Sequence, residues 1–384
     1  MRRRDGLLAT LLAAALPSSA AAAASAASVA SAASTASAID APVRRGRALR
    51  FPRDHGAHLD AAIEWWYLTG ELSAPGKRRL GFQITFFRSR TGLAVDLDSR
   101  FAARHLLFAH AALTDVGAGT HLHAQRIARW SGDQDAALAR ASIHDTDLRL
   151  GGWTLQRQDA AGGSLYRTQF GAGPQSFELQ LELRATQPLL LQGDAGFSRK
   201  GPDEAQASHY LSEPQLAVRG TLQRDGRSVA VSGRAWLDHE WSEQLMHPEA
   251  VGWDWIGMNL DDGAALTAFR LRRTDGSSLW AGGSFRAADG QLQIFEAGAV
   301  RFTPGRIWAS PASGARYPLQ WTVHTPAGRF EVRALLDAQE LDSRGSTGTV
   351  YWEGLSELLD ANGRRVGSGY LEMTGYAGRL RLGG

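Results

Sequence analysis

Acidic, imidazole and indole side chains are concentrated in two neighbouring segments of the chain, residues 236–241 and 252–257. Charged groups are costly to bury beside large apolar rings unless they have partners, and such surroundings shift the pKa values of carboxyl and imidazole groups. Carboxyl groups with shifted pKa values are suited to acid–base catalysis. The candidate catalytic residues are Asp238, His239, Glu240 and Asp254.

Strand alternation divides the first segment into two faces. Trp236, Asp238 and Glu240 share one face, whereas His239 and Trp241 lie on the other. The two carboxyl groups on the shared face are about 7 Å apart along the strand, so each raises the pKa of the other. One of them can remain protonated near neutral pH as a general acid while the other orients a water molecule. The alternative is a strand at the rim of a sheet, with its charges paired to arginines.

Aromatic residues indicate a second role, the binding of an apolar ligand. Trp253 and Trp255 share a strand face, and a weak internal repeat aligns them with Trp65 and Tyr67. Aromatic pairs can line an apolar cavity, and they stabilise a desolvated cation by about 2 kcal/mol. Packing in the core is the alternative for each ring. The candidate ligand-binding residues are Glu64, Trp65, Tyr67, Trp241, Trp253 and Trp255.

A zinc site could be assembled from the nitrogen donors of His55, His58, His121, His123 and His239, but the signal is weak. His55 and His58 precede Glu64, and the segment that begins at His239 lacks the second histidine of the HExxH motif. The chain also lacks a G-x-S-x-G nucleophile elbow, a Walker loop and a Rossmann glycine motif. We therefore predict neither a bound metal nor an organic cofactor.

The elements that carry these residues are predicted to be β-strands. Short alternating segments separated by turn residues run from about residue 60 to the end of the 384-residue chain, which contains 43 glycines. Predicted strands include residues 64–72, 216–223, 229–241 and 253–260. This spacing favours antiparallel sandwiches or closed barrels over a parallel α/β fold. The chain has no cysteine, which excludes disulfides and thiolate metal ligands.

The internal repeat indicates two copies of one β-domain. Trp65-x-Tyr67 matches Trp253-x-Trp255, and in the strands that follow them residues 85–88 match residues 267–270. Two similar domains explain both matches economically. Chance similarity between two hairpins is the alternative.

Residues 1–40 are predicted to be a signal peptide followed by an Ala/Ser-rich linker. Three arginines at positions 2–4 precede a short apolar run over residues 7–16, and small-residue cleavage sites begin at Ala20. The region around Arg3-Arg4 loosely resembles a twin-arginine signal, so both Sec and twin-arginine export remain open. We expect a periplasmic or secreted protein without a transmembrane segment after cleavage. Cleavage would leave the chain, whose formal net charge is +3, nearly neutral, so we do not expect nucleic-acid binding.

Several segments together resemble the AttH/carotenoid 1,2-hydratase-like family. Residues 51–58 and 64–70 resemble the start of that family, and residues 200–201, 236–242, 252–255, 260–263, 351–354 and 369–376 fit the same pattern. The resemblance implies an all-β fold of two tandem lipocalin-like antiparallel β-barrel domains, which we place at residues 41–245 and 246–384. It also implies an apolar ligand. The carotenoid hydratases of the family add water to a terminal double bond of an acyclic carotenoid without an organic cofactor.

Two functions follow as hypotheses. The first is the hydration or hydrolysis of an isoprenoid or lipid-like ligand: Asp238, Glu240 or Asp254 donates a proton, His239 activates water, and Trp241, Trp253 or Trp255 stabilises the cation. The second is a non-catalytic periplasmic carrier of such a molecule, associated with an ABC transport system as some members of the family are. A third possibility is that the charged cluster only fastens the two barrels together.

Overall fold

The computed structural model describes residues 43–173 and 175–379. Apart from a short 3₁₀ helix at Arg53–His55, the regular elements of the described residues are β-strands, arranged in a nearly closed antiparallel barrel sheet, a second large sheet and a two-stranded one. The predicted all-β, antiparallel barrel class is confirmed. The described residues contain no helix with the length and apolar character needed to cross a bilayer. The predicted signal peptide and linker lie outside the described residues.

The first sheet contains thirteen strands. They are β1 (Ile63–Ala74), β2 (Arg78–Arg90), β3 (His105–Asp115), β4 (Thr120–Trp130), β5 (Ala139–Ala141), β6 (Asp147–Leu150), β7 (Trp153–Ala160), β8 (Gly163–Gly173), β9 (Phe177–Arg184), β10 (Leu190–Leu191), β11 (Phe197–Arg199), β12 (Ala207–Arg224) and β13 (Arg227–Ser242). The strand order is β4-β3-β2-β1-β13-β12-β9-β8-β7-β6-β5, with β10 and β11 also paired to β12.

The second large sheet contains ten strands and follows the first in the chain. Its strands and the two-stranded sheet β19–β20 are β14 (Gly252–Leu260), β15 (Ala265–Arg272), β16 (Ser278–Arg286), β17 (Leu292–Phe295), β18 (Arg301–Pro304), β19 (Ile307–Ala309), β20 (Arg316–Pro318), β21 (Gln320–Thr325), β22 (Gly328–Ala334), β23 (Glu340–Asp342), β24 (Val350–Leu359) and β25 (Arg365–Met373). The order is β17-β16-β15-β14-β25-β24-β22-β21-β18, with β23 paired to β24.

The strand that carries the acidic segment is buried on both faces in its second half. Every residue of β13 from Ala235 to Ser242 is buried, although its first half is largely exposed. Ala235 and Leu237 pack into the core of the first sheet, whereas Trp236 packs against Trp255 of the second. A strand that is covered on both sides has no solvent-facing polar row, which explains the large rings on both faces of this segment.

The strand register aligns the first strands of the two repeat copies two residues away from the alignment predicted from the sequence. Trp65 pairs with Phe87 on β2, and Trp255 pairs with Phe269 on β15. When β2 and β15 are aligned as their sequences match, Trp65 therefore corresponds to Trp255 instead of Trp253. The same register makes two further pairs correspond: Glu64–Arg88 to Asp254–Arg270, and Trp65–Glu240 to Trp255–Glu372.

A bulge in β12 joins the first sheet to the second. The strand register shifts between Glu213 and Leu216, and Gln215 has a φ of 57°. Its side-chain amide donates to the carbonyl oxygens of Leu260 and Ala264 at 2.9 and 2.8 Å. The last strand of the first sheet ends at Ser242 and the second sheet begins at Gly252. The division into domains at residues 41–245 and 246–384 remains a prediction.

Candidate functional site

A cavity of about 110 Å³ is lined by residues of both large sheets. This volume accommodates several water molecules or a small part of a ligand. Its rings are Trp65, Tyr67, Phe87 and Tyr210 from the first sheet and Trp253, Trp255, Phe269 and Tyr351 from the second. Its charged groups are Asp238, Glu240, Glu353, Glu372 and Lys200. Concave, mostly apolar sites with a few converging polar groups are typical of small-molecule binding.

Trp255 reaches the cavity because a glycine follows it on the same face of β14. A Cβ atom at Gly257 would lie 2.3 Å from Cη2 of the Trp255 ring, so a larger residue would displace the ring. The ring meets Tyr67 edge to face, and its Nε1–H donates to the hydroxyl of Tyr210 at 3.1 Å. The Trp-x-Trp-x-Gly pattern therefore builds one aromatic wall of the cavity.

Asp238 is a buried carboxyl group on the cavity wall. Ser212 and the indole of Trp236 donate to Oδ1 at 2.5 and 2.7 Å, and the hydroxyl of Tyr210 donates to Oδ2 at 2.7 Å. Burial raises the pKa of Asp238 to about 7, although these three donors act in the opposite direction. A group with this pKa is present in both protonation states near neutral pH, as a general acid requires.

Glu240 lies on the same face of β13 and has a cationic partner. The ammonium group of Lys200 is 2.9 Å from Oε1 of Glu240. It also lies over the rings of Tyr210 and Phe269, at 4.6 and 4.2 Å from their centroids. The lysine compensates the negative charge of Glu240, so this carboxylate can orient a water molecule beside Asp238.

Glu353 and Glu372 form a second acidic pair, on the neighbouring strands β24 and β25. The two residues are directly paired in the strand register, and both side chains line the cavity. Burial raises the pKa of Glu372 to about 7, and burial together with the charge of Glu372 raises the pKa of Glu353 well above its usual range. No ion pair involves either residue in the part of the chain that the structure describes.

His239 and Glu64 lie on the opposite face of their strands, away from the cavity. Nε2 of His239 is 2.9 Å from Oε1 of Glu64, and the imidazole stacks on the ring of Trp66. Burial opposes ionisation of Glu64, but Arg88, at 2.9 Å, and the hydrogen bonds with His239 and His58 hold its pKa well below the usual range. The structure thus does not place His239 where it could activate water in the cavity.

The same cluster contains three atoms with the chemistry of metal ligands. Candidate donor atoms of His58, Glu64 and His239 lie within 4.8 Å of one another, a set that zinc accepts. Arg88 occupies the other oxygen of Glu64, and Asp54 lies 2.9 Å from the other nitrogen of His58. Because these groups balance the charges of the cluster, we interpret it as a structural network within the first sheet.

Asp254 and Trp241 are also separate from the cavity wall. Asp254 is buried between Arg270 and Arg272, at 2.7 and 3.1 Å, and accepts a hydrogen bond from Tyr376. Trp241 stacks on the imidazole of His58, with ring centroids 3.6 Å apart. Of the sequence-predicted site residues, the structure brings six together around the cavity: Asp238, Glu240, Trp65, Tyr67, Trp253 and Trp255.

Sequence reasoning assigned no role to Lys200, Tyr210, Glu353 or Glu372. Three of them belong to the segments that carry the family resemblance, namely Lys200, Glu353 and Glu372. The sequence around a single glutamate in a strand does not show which residue will lie beside it. Here Glu353 and Glu372 become neighbours only because β24 pairs with β25. The residue pattern could have marked Glu353 and Glu372 only as unexplained acids in apolar strands.

Comparison with known proteins gives a match over nearly all described residues. A sequence model described as AttH-like matches residues 42–376. A solved structure from Nitrosomonas europaea, described as an AttH, is 46% identical, with a TM-score of 0.80 over 88% of this chain and 99% of that chain. Kievitone hydratase from Nectria haematococca is 15% identical, with a TM-score of 0.63 over 89% of this chain and 94% of that chain. CghA with Sch210972 is 14% identical, with a TM-score of 0.52 over 84% of this chain and 89% of that chain. No match was found among curated proteins.

Proposed function

The chain belongs to the AttH-like family, and from that premise we propose that it binds an isoprenoid or similar apolar molecule and adds water across one of its double bonds. The observation that carries the proposal is Asp238, a buried acid with a pKa of about 7 on an aromatic cavity wall. The name of kievitone hydratase, a protein of similar fold, denotes the same reaction class.

Asp238 and Glu240 divide the chemistry between them. The protonated carboxyl of Asp238 gives its proton to one alkene carbon, and the π electrons form the new C–H bond. The adjacent carbon becomes cationic, and the rings of Trp65 and Trp255 lie on the cavity walls where they can stabilise it. Water attacks this carbon and forms the C–O bond, and Glu240 accepts the proton that water loses. General acid–base assistance of this kind is worth roughly a hundred- to ten-thousand-fold in rate.

The test is mass analysis of the products formed in water labelled with a heavy isotope of oxygen. The protein is incubated with geraniol, squalene or lycopene, and with saturated squalane as the substrate without a double bond. We expect a product heavier by one labelled water from at least one alkene and none from squalane. Asp238→Asn should lower the rate at least about a hundredfold, because Asn cannot supply the proton. An Asp238→Asn variant with undiminished rate would overturn the assignment.

Glu213→Gln is the matched control. Glu213 is a buried carboxyl group on β12, and like Asp238 it accepts hydrogen bonds from a serine and a tyrosine, Ser164 and Tyr166, both at 2.7 Å. It does not line the cavity. If loss of a buried carboxylate merely loosened the fold, both variants would lose activity together. If the chemistry belongs to Asp238, only the first variant loses it.

A second candidate is a non-catalytic carrier of an apolar molecule. The ion pair of Glu240 with Lys200 favours it, because a carboxylate engaged in that way can serve structure alone. A carrier would bind squalene or lycopene without forming any labelled product. Export to the periplasm or beyond and association with ABC transport components stay predictions, and their test is fractionation and affinity purification of the full chain from its own cells.

A further inference from the structure

A chain of buried hydrogen bonds runs from the second sheet to Asp238. The hydroxyl of Ser284 on β16 donates to Oε1 of Gln192 at 2.8 Å, and Nε2 of Gln192 donates to Oγ of Ser212 at 2.9 Å. Ser212 in turn donates to Oδ1 of Asp238 at 2.5 Å. Each of the four residues is at most 3% exposed. Gln192 and Ser284 do not line the cavity, so contact with a ligand does not account for them.

Strand pairing brings these side chains into one row. Ser212 of β12 pairs directly with Asp238 of β13. Gln192 follows β10, and its backbone N–H donates to the carbonyl oxygen of Tyr210 at 3.0 Å, so the pairing of β10 with β12 continues for one more residue. Residues 210 and 212 share a face of β12, which places the side chain of Gln192 beside Ser212. Ser284 reaches the end of this row from the second sheet.

The direction of each hydrogen bond follows from the chemistry of the groups. An ionised carboxylate only accepts hydrogen bonds, so the single hydroxyl proton of Ser212 points to Asp238. Ser212 must then accept from Gln192, whose amide turns Nε2 toward Ser212 and Oε1 toward the hydroxyl of Ser284. Without the proton of Ser284, the amide could turn over and present its oxygen to Ser212. The serine proton would then be drawn away from Asp238.

A second chain from the second sheet ends on the other oxygen of Asp238. Nε1–H of Trp255 donates to the hydroxyl of Tyr210 at 3.1 Å, and this hydroxyl donates to Oδ2 of Asp238 at 2.7 Å. The indole of Trp236 is the second donor to Oδ1, at 2.7 Å. A carboxylate oxygen accepts about two hydrogen bonds, so Oδ1 is filled and Oδ2 has one position left. The acid proton of Asp238 therefore belongs on Oδ2.

We propose that Gln192, held by Ser284, is a positioning residue for the acid: it fixes the hydroxyl of Ser212 as a donor to Oδ1 of Asp238, so that Oδ2 carries the proton given to the substrate. The inference rests on the proposed function in one respect, namely that Asp238 is the acid of the reaction. Hydrogen bonds in series polarise one another, so the chain also makes Ser212 a stronger donor to the ionised carboxylate.

The chain influences how readily Asp238 ionises. A donor to the ionised form lowers the pKa of a carboxyl group, so loss of the chain should raise the pKa of Asp238. The substitutions that test this leave every neighbouring charge in place. The other titratable groups around Asp238 are Glu240 on its own strand, Tyr67 on β1, Tyr210 on β12, Glu372 on β25, and Lys200 against Glu240.

The experiment titrates Asp238 in the full chain without a substrate. The infrared carboxyl band is followed from about pH 4 to about pH 9, and each protein is compared with the same protein carrying Asp238→Asn, so that the difference belongs to Asp238. Ser212→Ala should move the midpoint up by at least about one pH unit, because it removes a hydrogen bond to a charged group. Gln192→Met and Ser284→Ala should each move it up by about half a pH unit, since they weaken the same donor.

Gln215→Met is the matched control. Gln215 is also a buried glutamine whose amide donates to the second sheet, but these bonds end at the carbonyl oxygens of Leu260 and Ala264. This variant should leave the titration of Asp238 unchanged. An equal shift in Gln215→Met would attribute the effect to a loosened contact between the sheets and would overturn the proposal. An unchanged midpoint in both Gln192→Met and Ser284→Ala would overturn it as well.

Activity separates this proposal from the proposed function. With an alkene that gives labelled product, Gln192→Met should lower kcat at least about threefold and move the alkaline limb of the pH profile upward with the titration. KM should stay unchanged, because Gln192 does not line the cavity. A raised KM with unchanged kcat would overturn the positioning role. If no alkene is hydrated but the midpoints shift as expected, the proposed function fails and the control of Asp238 by Gln192 stands.

Discussion

Asp238 is held in surroundings that favour its neutral form, although three donors surround it. Burial raises the pKa of this carboxyl group from 3.8 to about 7 in the folded chain, whereas the unfolded chain has the ordinary value. Between those two pH values the folded state binds more protons than the unfolded state. The free energy of unfolding therefore falls as pH rises from about 4 to about 7, by at most about 4 kcal/mol from this group.

Asp238→Asn should remove this part of the pH dependence. The Asn side chain resembles the protonated carboxyl, so we expect little change of stability at about pH 4.5 and a gain of about 1–4 kcal/mol at about pH 8. Urea unfolding at both pH values measures the difference. Equal stabilisation or destabilisation at the two pH values would show that Asp238 is ionised in the folded protein throughout this range.

The alternation of side chains along β13 was predictable from the sequence, because strand alternation is a local property. Asp238 and Glu240 share a face and His239 lies opposite them, as the period of two requires. What local pattern could not predict is which face meets the ligand cavity and which meets a buried arginine. Arg88 approaches Glu64 from β2, and Lys200 reaches Glu240 from the segment after β11, so both partners depend on long-range pairing.

At the scale of elements, strands with an apolar period were predictable and polar strands were not. The prediction of residues 229–241 and 253–260 matches β13 and β14 closely. Residues 216–223 were predicted, but β12 begins at Ala207, because its first half carries histidine, serine, glutamate and a proline in place of an alternating apolar row. Strand β4 was not predicted for the same reason, since only Trp130 of its eleven residues is buried.

The bulge of β12 gives an element-scale prediction. Gln215→Ala removes the two amide hydrogen bonds to the turn between β14 and β15 and keeps the backbone contact of Gln215 with Asn259. Gln215 is buried, so we expect the free energy of unfolding to fall by about 1–3 kcal/mol. Denaturant unfolding measures it, with the exposed Gln180→Ala on β9 as the control, for which we expect a change within about 0.5 kcal/mol. Equal changes in the free energy of unfolding for the two substitutions would mean that the hydrogen bonds of the bulge do not stabilise the contact between the sheets.

At the scale of the whole molecule, the two large sheets are joined by apolar and polar contacts around the cavity. Tyr67 and Trp236 of the first sheet belong to one buried cluster with Trp255, Phe269 and Tyr370 of the second. His110 of β3, which also lines the cavity, forms hydrogen bonds with Tyr351 and Ser346 of the second half of the chain, each at 2.8 Å. Neither sheet can complete these contacts alone.

These shared contacts predict that the protein unfolds as one cooperative unit, whatever the number of its domains. Separation of the sheets would expose the rings of Trp236, Trp255 and Phe269 to water, at a cost of about 25 cal/mol for each Å² of apolar surface. Calorimetry of the full chain should therefore give a single transition whose van't Hoff and calorimetric enthalpies agree. Two resolved transitions, with a soluble folded fragment from residues 246–384, would show instead that each predicted domain is stable alone. The cavity would then lie at an interface between two independently folded domains. A ligand would in that case raise the temperatures of both transitions only by stabilising this interface.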